Sequence, residues 1–71
     1  MTALKLAWTT RDGMLFTEHR GRTLRLRALP GTDGRLWILG RETGETWYEM
    51  VATGATPQIA EARALAALGM P

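Results

Sequence analysis

"RTLRLRALPGTDGRLWILG", residues 22–40, decides the fold. Leu24, Leu26 and Ala28 alternate with Thr23, Arg25 and Arg27, the period of two that gives a strand one apolar and one polar face. Pro30-Gly31-Thr32-Asp33-Gly34 then gathers the residues that favour turns, and "RLWIL" begins a second apolar run. Two such runs around a short glycine-bearing loop read as a β-hairpin. The open question is whether its arginines are the wet side of a strand or part of a binding surface.

The same grammar extends in both directions. Asp12-Gly13, Arg20-Gly21, "PGTDG", "ETGE" at 42–45 and "TGATP" at 53–57 punctuate the chain, with short runs rich in Leu, Trp, Thr, Ile and Val between them. This spacing predicts consecutive antiparallel strands over about 3–10, 14–19, 22–29, 35–40 and 46–52. The last segment differs in kind. Thr56 can cap a helix, Pro57 suits its first position, and "QIAEARALAAL" has high helix propensity. A helix is expected over about 57–68, stopped at Gly69. The expectation is a single α+β domain over residues 1–71: an antiparallel β-meander of four to five strands with one C-terminal α-helix packed on one face.

Tight turns fix register, and register fixes faces. Two-residue turns at Asp12-Gly13 and Arg20-Gly21 pair Arg11 with Met14, His19 with Arg22 and Leu15 with Leu26. A loop at 31–34 pairs Ala28 with Trp37, and a Thr43-Gly44 turn pairs Leu39 with Tyr48 and Trp37 with Met50. One face then collects Leu4, Leu6, Trp8, Leu15, Leu24, Leu26, Ala28, Trp37, Leu39, Tyr48, Met50 and Ala52, an apolar set for the helix to cover with Ile59, Ala62, Leu65 and Ala66. The opposite face collects Lys5, Ala7, Met14, Phe16, Glu18, Arg25, Arg27, Leu29, Leu36, Ile38, Trp47, Glu49 and Val51. Phe16, Leu36, Ile38, Trp47 and Val51 are unusual on a solvated face, and one short helix cannot cover both. Exposed apolar patches mark interaction sites, and arginine and aromatic residues are the types enriched at their centres.

Composition narrows the chemistry. A chain of 71 residues buries little surface and is marginal without an added staple. It has no cysteine and one histidine, which removes disulfides, thiolate metal sites and multi-histidine metal sites, so no metal or cofactor is expected. A second copy or another protein is then the natural stabiliser. The formal charge of +2 is a mild basic bias, with eight arginines to one lysine. "MTALKLAWTTRDG" has no long apolar core and no cleavage pattern, and no stretch approaches a membrane span, so a cytoplasmic location is expected. His19 follows Glu18, but neighbours on a strand point to opposite faces and make a poor acid–base pair. "GTDG" lacks the spaced acids of a calcium loop, and "GRETGE" lacks the lysine and helix of a phosphate loop. No enzymatic activity is expected.

The order of short strands, a Trp-bearing strand "GRLWIL" and "ATGATPQIAEARALAAL" resembles small β-meander-plus-helix proteins encoded by phages and other mobile elements. Some of those are anti-CRISPR proteins, so the resemblance implies an inhibitor that docks on a CRISPR effector subunit. A weaker likeness, to AP2-type and integrase-arm DNA-binding domains, implies groove reading by a sheet. Two functions are therefore expected. The first is a non-catalytic protein-binding module, acting on another protein or on itself as a homodimer through Phe16, Arg25, Arg27, Leu36, Ile38, Trp47, Glu49 and Val51. The alternative is nucleic-acid binding, with the aromatics stacking bases and the arginines holding phosphates.

Overall fold

The computed structural model describes residues 4–44 and 48–69. Five antiparallel strands follow one another as a simple meander, β1 (Thr9–Arg11), β2 (Met14–His19), β3 (Arg22–Ala28), β4 (Trp37–Glu42) and β5 (Tyr48–Gly54), and one helix, α1 (Pro57–Ala67), packs on one face. This is the α+β meander read from the sequence.

The first three connections have the expected register. Arg11 pairs with Met14, His19 with Arg22, Leu15 with Leu26, and Ala28 with Trp37. The two tight turns place both central residues in the left-handed region, at φ of 53° and 76° for Asp12-Gly13 and 52° and 77° for Arg20-Gly21. These mirror-image turns match the twist of the strands they join, and glycine enters them without a Cβ clash.

The fourth connection differs from expectation. Leu39 pairs with Ala52 and Trp37 with Gly54, four residues beyond the expected partners Tyr48 and Met50. A slip of four is even and leaves every face unchanged. A β-bulge then adds one residue: Leu39 faces Ala52 while its neighbour Gly40 faces Met50. That odd step turns residues 48–51 over. Tyr48 and Met50 therefore lie on the outer face, not in the core, whereas Val51 packs against the core and Glu49 pairs with Arg41 on the helix side.

The core is small. Leu24, Leu26 and Leu39 are the largest fully buried side chains, joined by Ala60 and Ala64, with Leu15, Trp37, Val51, Ala52 and Leu68 around them. Two expectations about its cover are corrected. Residues 4–8 form no strand, and β1 is confined to Thr9–Arg11, though Leu4, Leu6 and Trp8 do pack on the core. The helix buries Ala60, Glu61, Ala64 and Leu65, while Ala62 and Ala66 are exposed and Ile59, 39% exposed, rests against Gly54.

Glu61 is the reason for both. It is 2% exposed, and its carboxylate accepts hydrogen bonds from the Lys5 amide (2.6 Å), the Leu6 amide (2.9 Å) and the Trp8 indole N–H (2.7 Å). Amides that bind this carboxylate are not spent on a strand ladder, so the segment runs as a loop over the helix. The helix start matches expectation: Thr56 Oγ1 accepts from the Ile59 amide at 3.1 Å, and Pro57 opens the helix. At its first turn the helix presses on Gly54, where an added Cβ would meet the Ala60 nitrogen at 2.6 Å and the Ile59 Cγ2 at 2.8 Å. Only glycine permits that approach. Among the described residues no helix is long and apolar enough to cross a membrane.

Candidate functional site: the open sheet face

Side chains on the face away from α1 fall into rows set by the strand pairing. The central row runs Thr9, Phe16, Arg25, Gly40, Met50 across the five strands. Toward the β3 C-terminus, Arg27 pairs with Ile38, and Ile38 with Thr53, with Arg11 opposite Met14 on the same level. Toward the other end, Glu18 pairs with Thr23, and Glu42 with Tyr48. Beyond Ile38, the Leu29 amide donates to the Leu36 carbonyl at 2.8 Å, which carries the face onto the loop.

Two arginines stand over aromatic rings. The Arg25 guanidinium carbon stands 4.1 Å from the centroid of Tyr48, and that of Arg11 stands 4.4 Å from the centroid of Phe16. Both are cation–π stacks, which hold a guanidinium in place while leaving its donor edge free. Gly40 makes the first stack fit. A Cβ there would lie 3.3 Å from the Tyr48 Cβ, so the absent side chain is the space that Tyr48 fills. Around these stacks Phe16, Leu36, Ile38 and Tyr48 are half-buried by their neighbours alone, and Met50 is 64% exposed. Among the described residues, no element covers this face.

Of the expected interaction residues, Phe16, Arg25, Arg27 and Ile38 come together at the centre and Leu36 lies at the rim. Glu49 and Val51 leave the face through the bulge, and Trp47 falls outside the described residues. Tyr48, Met50 and Arg11 were missed as members. A signal for the first two was present: a glycine inside a strand pattern, here Gly40, marks a bulge or a close approach. Arg11 follows from the Asp12-Gly13 register, which sets it beside Met14.

A second concentration of charge lies on the helix side. His19, Arg22 and Arg41 border a small cleft against Leu24 and Leu68. Arg41 Nη2 bonds Glu49 Oε2 at 3.1 Å, and Arg22 Nη1 donates to the Glu42 carbonyl at 3.1 Å. Arg22 and Arg41 stand where α1 ends, the end of a helix that favours positive charge. Glu18 and His19 occupy opposite faces, one paired with Thr23 and the other with Arg22. Among the described residues, no three His, Asp or Glu side chains gather as metal ligands do.

No protein-family model matches the chain, and neither curated proteins nor solved structures gave a match.

Proposed function

We propose that the chain is a non-catalytic protein-binding module whose docking surface is the open sheet face. One observation carries this reading: Phe16, Ile38, Leu36, Tyr48 and Met50 surround Arg25 and Arg27 on a face that no described element covers. Half-buried apolar and aromatic side chains set around arginines are of the residue types enriched at protein interfaces. The bulge strengthens the reading, because it exchanges Glu49 and Val51 for Tyr48 and Met50.

The stacks also weigh against nucleic acid. Arg25 and Arg11 already cover one face each of Tyr48 and Phe16, the rings that base stacking would use. Two glutamates, Glu18 and Glu42, lie on the same face and repel phosphate. The finer form of the proposal, an inhibitor acting in the cytoplasm on an effector subunit, is supported by the resemblance to small phage-encoded binders.

A photo-crosslinking amino acid placed at Ile38 tests the surface, with the exposed helix position Ala62 as control. The expected result is a discrete protein adduct from Ile38 and none from Ala62, lost when Arg25→Glu is added. Equal labelling from both positions, or adducts with nucleic acid alone, would overturn the proposal.

A further inference from the structure

The outer face is charged in an ordered way. Glu18 and Glu42 share one row, Arg11 and Arg27 lie in another, and the row of Phe16, Arg25 and Met50 separates them. Successive same-face residues are about 6.7 Å apart along a strand, so the acidic and basic rows stand roughly 13 Å apart. From this pattern, and resting on the reading that this face binds protein, we propose that its occupant is a second copy of the chain. The two sheets stack face to face about a two-fold axis running across the strands.

That axis reverses strand direction between the copies and holds the cross-strand order. The glutamate row of one copy therefore lies over the arginine row of the other. Glu18 falls between Arg11 and Arg27 of its partner, and Glu42 falls beside Arg27. The central row meets itself, so Phe16, Arg25 and Met50 each face their symmetry mates, and Arg25 turns aside from its mate by folding onto Tyr48. An axis along the strands would instead set glutamates on glutamates and arginines on arginines, which costs free energy. Charge thus selects both the partner and its orientation.

Area supports the same occupant. The molecule measures 30 × 28 × 19 Å, the thin direction being that of one helix layered on one sheet. The rectangle enclosing its broad face is about 800 Å², so the sheet face reaches at most the contribution of each partner to an interface of standard size. The core gives a reason for the association. With Leu24, Leu26 and Leu39 as its largest fully buried side chains and no disulfide, the chain gains a second apolar layer by stacking. Aligned packing of two sheets about 10 Å apart is the ordinary way to build that layer.

The test is solution mass by light scattering on the full chain, at about 100 μM, where a micromolar dimer is populated. Wild type is expected at twice its 7.9 kDa. Arg27→Glu alone and Glu42→Arg alone should each lose the dimer, because each sets like charges together. An equimolar mixture of the two variants should recover it, since one like-charge contact is left, Glu18 against position 27 of the Arg27→Glu copy, where the single variants paired with themselves hold four and two. Circular dichroism confirms that each variant is folded. Monomeric wild type, single variants that dimerise as wild type does, or a mixture that stays monomeric would each overturn the proposal. The two readings fail separately. Monomeric wild type whose Ile38 crosslinker still captures another protein removes only the second copy, whereas monomeric wild type without a protein adduct removes the docking face too.

Discussion

Replacing Glu61 is the sharpest probe of how this chain holds together. Its carboxylate is buried and accepts three hydrogen bonds, from Lys5, Leu6 and Trp8. A hydrogen bond to a charged group contributes about 1.5–3 kcal/mol, so the gross gain is roughly 5–9 kcal/mol. Burying the carboxylate costs several kcal/mol against that. Removing the acceptor in Glu61→Ala leaves three donors unmet, and truncating one side of a buried charged arrangement typically costs about 3–5 kcal/mol. One escape lowers the figure. Residues 4–8 belong to no strand and can lift off, so that their amides reach water at the expense of the half-buried Leu4, Leu6 and Trp8. We therefore expect a loss of about 3 kcal/mol for Glu61→Ala. Glu61→Gln, which keeps one acceptor oxygen but turns an N–H toward another N–H, should lose about 1–2 kcal/mol. A chain of 71 residues is worth about 4–11 kcal/mol in total, so either loss is a large fraction. Urea unfolding followed by tryptophan fluorescence measures it, and Trp8 reports the contact directly. A Glu61→Ala protein within about 0.5 kcal/mol of wild type would refute the clamp.

Three further outcomes follow from single contacts. Gly54→Ala drives a Cβ into the Ala60 nitrogen at 2.6 Å, so the helix must move off β5; calorimetry should show about 1–3 kcal/mol of lost stability. Arg20 sits at φ 52°, a region asparagine enters more readily, so Arg20→Asn should add about 0.5–1 kcal/mol of stability, read as a higher urea midpoint at unchanged slope. Gly40→Ala crowds the Tyr48 Cβ at 3.3 Å and should release Arg25 from its ring. The stability cost is small, about 0.5–1 kcal/mol, and the release is read as faster side-chain motion of Arg25 by NMR relaxation.

The parts of this fold legible in the sequence are those encoded locally. Asp12-Gly13 and Arg20-Gly21 fix their own hairpins because two residues at positive φ leave one register open to the flanking strands. Thr56 and Pro57 fix the helix start in the same way. Thr43-Gly44 looks like another such code, yet the register of β5 is not set there. It is set where Gly54 passes beneath the helix and Ala52 meets Leu39, contacts that a turn motif does not carry. Glu61 shows the same limit more strongly. Its partners lie 53 to 56 residues away, and an isolated glutamate in an alanine-rich helix has no local mark of burial.

The reversal of residues 48–51 has another cause, and it bears on the proposed function. The four-residue slip in β5 was harmless, since an even shift preserves which side each residue faces. The bulge was decisive, since one extra residue reverses Tyr48 through Val51. Without it, Val51 and Glu49 would face outward, and Tyr48 and Met50 would crowd the helix side. With it, Val51 fills the core, Glu49 pairs with Arg41, and Tyr48 receives Arg25. A single residue thus settles three placements at once. It also confines the acidic charge of the open face to the row of Glu18 and Glu42, on which the proposed two-fold stacking depends. One extra residue that fills the core and composes the open face in one step serves both, which is how a chain this small can carry a distinct surface as well as a fold.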